Sequence, residues 1–180
     1  MLVIFKKCPH PIILPAFLGL LFGLAIDCVS TFLPQWTNDG LGIAPYEGNY
    51  LTSETWALWT FIMMAASIGV GILLLAFSLI FVFHLERRGF TYLNRVFFIV
   101  LMIFTFFNGL IILGAFVLFD EGICCHLKGH GKLTFGISIY LNWGAAACYL
   151  LSSVILLLFV SKFYHPYLPN HFVDKNNTWM

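Results

Sequence analysis

From Trp56 to Phe83 the chain runs 28 positions without a charged residue. Nothing constrains the fold more. A run of that length and polarity crosses about 30 Å of hydrocarbon, which takes roughly 20 apolar residues as a helix. Inside lipid the backbone must satisfy its own hydrogen bonds, which a helix does within one segment. Three further runs behave alike: Ile12 to Leu33 behind Lys6 and Lys7, Val96 to Phe119, and Leu133 to Ser161, whose hydrocarbon portion starts near Ile137. With 61% apolar and 9% charged residues, an ordinary soluble domain is excluded. The expected fold is an all-α membrane protein, a four-transmembrane-helix bundle forming one domain over 1–180. Helices are placed at about 12–33, 56–83, 96–119 and 137–160. Loops fall at 34–55, 84–95 and 120–136, with a tail at 161–180.

The first run follows two lysines, as a signal peptide would, yet it is too long for a typical signal core. Pro34-Gln35-Trp36 is also no small-residue cleavage site. It is read as a retained helix. The cations then set orientation. Lys6, Lys7, Arg87, Arg88, Arg95, Lys162 and Lys175 fall on one side, and Lys128 and Lys132 on the other. By the positive-inside rule both termini and the 84–95 loop are cytoplasmic, and the 34–55 and 120–136 loops face outward. A net charge of +1 without a basic stripe gives no footprint for nucleic acid.

Gly19, Gly23 and Asp27 recur every four positions and share one face of the first helix. A Gly-x-x-x-Gly face lets another backbone approach closely. Asp27 lies roughly 13 Å below Trp36 at 1.5 Å per residue. A carboxylate at that depth must find a donor, and Asn108, Asn142, Ser67 and Ser138 are the candidates. An ion pathway through Asp27 is the sharper reading, but no basic partner on another helix accompanies it. The third helix is bulky nearly all round, with Phe97, Phe98, Phe104, Phe106, Phe107 and Phe116, which suits lipid or a docked partner helix.

Pro34 and Trp36 mark the border where the first helix stops. Proline removes a backbone donor, and tryptophan prefers the headgroup level, where its indole N–H is wet. The stretch Val29-Ser30-Thr31-Phe32-Leu33-Pro34-Gln35-Trp36 resembles the end of the first helix in claudins. Tyr46-Glu47-Gly48-Asn49-Tyr50 resembles a degenerate Tyr-Glu-Gly-Leu-Trp element of the same family. A second border, Phe135-Gly136-Ile137-Ser138-Ile139-Tyr140-Leu141-Asn142-Trp143-Gly144-Ala145-Ala146, is similar to the start of the claudin fourth helix. The resemblance extends to the wider group of peripheral myelin, epithelial membrane and lens fibre membrane proteins. It implies a four-helix plan in which Trp36, Gly48, Tyr50, Tyr140 and Trp143 serve packing or interaction.

The departures are specific. The family's first outer loop holds two cysteines that form a disulfide on a small sheet, whereas here no cysteine falls between Trp36 and the second helix. The loop from Pro34 to Thr55 has 22 residues, room for one β-hairpin turning near Asn38-Asp39-Gly40 or Gly48-Asn49. The charged residues that line a claudin pore have no obvious counterparts.

Outside the helices, Cys124, Cys125, His126 and His130 are weak candidate metal ligands by residue type. Glycines at 122, 129 and 131 argue against the helix that would bring the two histidines together. No cofactor is expected. Cys8 beside Lys6 and Lys7 is an acylation candidate. Asn176-Asn177-Thr178 fits a glycosylation pattern on the cytoplasmic side, where it would stay bare. Thr178, Trp179 and Met180 fit a weak PDZ-binding terminus.

No catalytic motif survives a scan of the sequence. The preferred reading is a non-enzymatic claudin-like protein of the plasma membrane. It acts through lateral or cell-cell protein contacts in adhesion, junctions or membrane organisation, with lipids, copies of itself or another membrane protein as neighbours. One alternative is an auxiliary subunit regulating trafficking or gating of a channel or receptor. Another is a transporter or enzyme using Asp27 or the Cys-His loop.

Overall fold

The computed structural model describes residues 13–44, 54–88, 92–126 and 135–163. Four helices fill it: α1 Ile13–Phe32, α2 Thr55–Arg88, α3 Tyr92–His126 and α4 Ile137–Phe163. All four are long and apolar enough to cross a membrane, so the chain is an integral, multi-pass membrane protein with an all-α, four-span bundle. Gly48 and Tyr50 of the first outer loop lie outside the described residues, as do His130, Cys8 and the chain beyond 163.

Local chemistry sets where each helix stops. Pro15 sits in the first turn of α1, where its missing N–H costs nothing, and Pro34 follows the last helical residue by two. The helix α3 runs past its apolar segment, so that 120–126 are helical although Gly122 lies among them. Tertiary packing explains this: a Cβ at Gly122 would run into the Trp56 indole, so glycine lets α3 and the start of α2 close together.

The helices form a ring. The α1–α4 contact is the most extensive, followed by α3–α4 and α2–α3, and the α1–α2 seam is the thinnest. Buried side chains make one cluster around Trp36, Met64, Ile112, Phe119 and Tyr149 and a second around Leu74, Phe98, Leu101, Leu156 and Phe159. The opposite helix faces carry large exposed apolar residues such as Ile72, Phe77, Phe104 and Leu151. These are the surfaces that meet lipid.

Most buried hydroxyls bond back into their own helix. Thr60 donates to the Trp56 carbonyl at 2.9 Å, Thr105 to Leu101 at 2.7 Å and Ser152 to Cys148 at 2.7 Å. Satisfied at home, they act as small packers. Glycine does the rest of the work at the α1–α4 seam. Gly19 faces Ser152, and a Cβ at Gly23 would lie 3.3 Å from both the Cys148 Cβ and the Tyr149 ring. Gly23→Ala is therefore expected to cost about 1–3 kcal/mol through overpacking. Gly19→Ala should cost a similar amount, because the Ser152 hydroxyl has to turn away and give up its bond to the Cys148 carbonyl. Thermal melts of the two variants in detergent compare them directly.

Candidate functional site

The end of the bundle holding residues 33–44 and the start of α4 is called the outer end here, after the orientation expected from the cations. Its organisation begins with Pro34. In a continuing helix the Ser30 carbonyl would accept from the N–H of residue 34, and proline has none. The Trp36 indole fills the gap, with Nε1 donating to the Ser30 oxygen at 2.7 Å. Trp36 is 0% exposed, its ring centroid 4.9 Å from that of Phe119, which stands 5.7 Å from that of Trp56. This differs from the wet interfacial tryptophan expected from sequence. The orphaned carbonyl supplies the indole with a partner inside the protein, so the whole ring can be enclosed.

The carbonyls beyond α1 and the first amides of α4 then satisfy each other. Gly136 N–H donates to the Trp36 oxygen at 2.9 Å and Ser138 N–H to the Gln35 oxygen at 3.1 Å. The Ser138 hydroxyl donates to the Leu33 oxygen at 3.1 Å, and Thr37 pairs with Phe135 in an isolated antiparallel bridge. Helix termini leave such groups unpaired, so joining two termini serves both. The approach is close enough that a Cβ at Gly136 would overlap the backbone of Gln35. The two border segments that carry the family resemblance are thus bonded to one another.

A turn follows at once. Gly40 N–H donates to the Thr37 oxygen at 3.1 Å, with Gly40 at φ 77°, a left-handed conformation that suits glycine. The Trp36 and Thr37 amides both donate to the Leu41 oxygen, at 3.0 and 3.2 Å. The turn near Asn38-Asp39-Gly40 is present. Residues 45–53, where a further strand of a hairpin would run, lie outside the described residues.

On the α3–α4 side of the outer end an aromatic group faces outward. Phe116 packs against Trp143, centroids 5.1 Å apart, and against Phe135 at 5.9 Å. Trp143 is 52% exposed and Tyr140 68%. Three positions apart on α4, they share one face.

Deeper in the bundle, Asp27 is fully buried. Of the donors considered from sequence, Ser67 of α2 reaches it, its hydroxyl donating to Asp27 Oδ2 at 2.7 Å. Ser138 is committed to the Leu33 carbonyl, Asn108 faces the Tyr149 hydroxyl of α4, and the Asn142 amide is buried without a hydrogen-bond partner. Tyr149 was not among the residues picked out from sequence. From α4 it passes over Gly23 of α1, and its hydroxyl lies where a Cβ at Gly71 of α2 would be. The nearest signal in the sequence is the pair of glycines it crosses, which sit on different helices.

The Cys-His candidates do not come together in what is described. Cys124 is exposed near the end of α3, its thiol 3.9 Å from Asp120 Oδ1. The side chains of Cys125 and His126 lie outside the described residues. Among the described residues no group of three His, Cys, Asp or Glu is placed to hold a metal ion.

No curated protein matches the chain. A family model described as "Tight junction protein, Claudin-like" matches residues 9–167, a span that takes in all four helices and both bonded borders. The chain belongs to the claudin-like family of tight junction proteins.

Proposed function

We propose that this protein is a non-enzymatic organiser of protein contacts at the plasma membrane, with both termini in the cytoplasm. It acts at junctions by binding neighbours through its outer end. The observation that carries the reading is the outward-facing pair Tyr140 and Trp143, mounted on a helix start that is hydrogen-bonded to the end of α1. Aromatic side chains with few torsions lose little entropy on binding and are frequent anchors of interfaces. A bonded mount keeps them in place before a partner arrives. Membership of a claudin-like family fits a contact-forming role rather than catalysis.

The test is a mixed culture. A junctional role requires enrichment where two expressing cells meet, with no enrichment where an expressing cell meets a non-expressing one. Uniform surface distribution in both cases would refute it.

A second reading, an auxiliary subunit of a channel or receptor, is favoured by the place of the aromatic face. Tyr140 and Trp143 lie on an exposed face of α4, a helix apolar enough to cross the membrane, where a neighbour in the same membrane would meet them. The first outer loop meanwhile lacks the cysteine pair that braces this loop in claudins. Under that reading one larger membrane protein co-purifies from singly expressing cells. A cytoplasmic PDZ partner through Thr178, Trp179 and Met180 is compatible with either reading. Transport through Asp27 would require activity to fall in Asp27→Ala at unchanged surface expression.

A further inference from the structure

Three aromatic rings from three segments form a chain at the outer end. Phe135 stands just before α4, Phe116 belongs to α3 and Trp143 to α4. Phe116 touches both of the others, its ring centroid 5.9 Å from that of Phe135 and 5.1 Å from that of Trp143. Trp143 is 52% exposed, so one side of its indole is open and the other rests on the Phe116 ring. Phe135 is held from the opposite direction. Its backbone pairs with Thr37 of the first outer loop, and the next amide, that of Gly136, donates to the Trp36 oxygen at 2.9 Å.

We infer, on the reading of Tyr140 and Trp143 as the surface that meets a neighbouring protein, that Phe135 is a positioning residue for that surface. Through Phe116 it sets the orientation of Trp143, and it ties that orientation to the first outer loop. A half-exposed indole has other staggered rotamers to visit, and ordering it on binding costs entropy. What holds Trp143 in one of them is the edge-on contact with Phe116, a geometry that aromatic pairs favour. Phe116 is only partly buried and needs backing of its own. Phe135 supplies it, from a backbone pinned by two neighbouring residues of the first outer loop. Trp143 lies about 9 Å along α4 from Ile137 at 1.5 Å per residue, so Phe135 acts on it through Phe116.

Phe135 is itself 37% exposed, so the state of Trp143 has to be read as well as the partner. The experiment is fluorine NMR of the full-length protein carrying fluorotryptophan, purified in detergent, with the Trp143 resonance assigned as the one missing from Trp143→Ala. Phe135→Ala is expected to move that resonance towards the position of free fluorotryptophan, and Phe135→Tyr to leave it where the wild type has it. Recovery of the partner from singly expressing cells should fall about twofold to tenfold in Phe135→Ala, the cost of ordering one more side chain. Hydrogen exchange at the Gly136 and Ser138 amides should stay at the wild-type level, which separates positioning from collapse of the junction. If Phe135→Ala loosens those amides, Phe135→Val decides, since it suits the extended backbone but cannot reach Phe116 as a ring does. An unmoved Trp143 resonance in the deciding variant overturns the inference. So does undiminished partner recovery there when the double variant Tyr140→Ala with Trp143→Ala loses the partner. A double variant that keeps its partner overturns the reading of the face itself, and this inference with it.

Discussion

Trp36→Ala is expected to be the most damaging single change at the outer end, lowering stability by about 3–5 kcal/mol, as removal of a fully buried large aromatic does. Two losses combine. The ring that fills the space beside Phe119 disappears, and the Ser30 carbonyl, already deprived of a helical partner by Pro34, loses the indole N–H at 2.7 Å. Trp36→Phe separates them. It keeps most of the packing and removes the donor, so about 1–3 kcal/mol should be lost, the cost of leaving a buried acceptor unpaired. Melting curves followed by circular dichroism in detergent should rank wild type above Trp36→Phe and Trp36→Phe above Trp36→Ala. Equal stability of wild type and Trp36→Phe would mean that another donor serves the Ser30 carbonyl.

Gly136→Ala should be nearly as costly for a different reason. The atoms that a Cβ would meet belong to the backbone of Gln35 and Thr37, and backbone cannot swing aside as the Ser152 hydroxyl can beside Gly19. Relief requires the α4 start to withdraw, which breaks the Gly136–Trp36 and Ser138–Gln35 hydrogen bonds. Two lost hydrogen bonds at about 1 kcal/mol each, with residual strain, give a loss of about 2–4 kcal/mol. Hydrogen exchange locates the damage. Protection of the Gly136 and Ser138 amides should drop sharply in the variant, while amides in the middle of α4 keep theirs.

The four helices were legible because lipid imposes a simple rule: long apolar runs such as Trp56–Phe83 have to be helical. Pro34 marked the end of α1 for an equally local reason. What the sequence did not disclose is contact between distant segments. The Val29–Trp36 and Phe135–Ala146 borders were recognised separately, a hundred residues apart, but that the carbonyls of one satisfy the amides of the other depends on how the termini meet in space. The continuation of α3 through Gly122 was missed because glycine's helix cost is a local quantity and the Trp56 ring that needs the space comes from another helix. For the same reason Asp27 could be recognised as needing a donor without showing that Ser67 supplies it. Tyr149 gave no signal, since its path over Gly23 to Gly71 involves three helices.

The central claim, that the outer end works by presenting a fixed aromatic face to a neighbouring protein, is tested most directly by affinity purification in mild detergent. The wild type is compared with a double variant, Tyr140→Ala with Trp143→Ala. Both side chains are more than half exposed, so their removal should cost little beyond the Trp143–Phe116 ring contact, about 0.5–1.5 kcal/mol, and leave the protein folded. The wild type is expected to carry along a second copy of itself or a recurrent membrane protein, and the double variant to lose this partner while remaining folded. An identical set of partners for both proteins, with both folded, would contradict the claim.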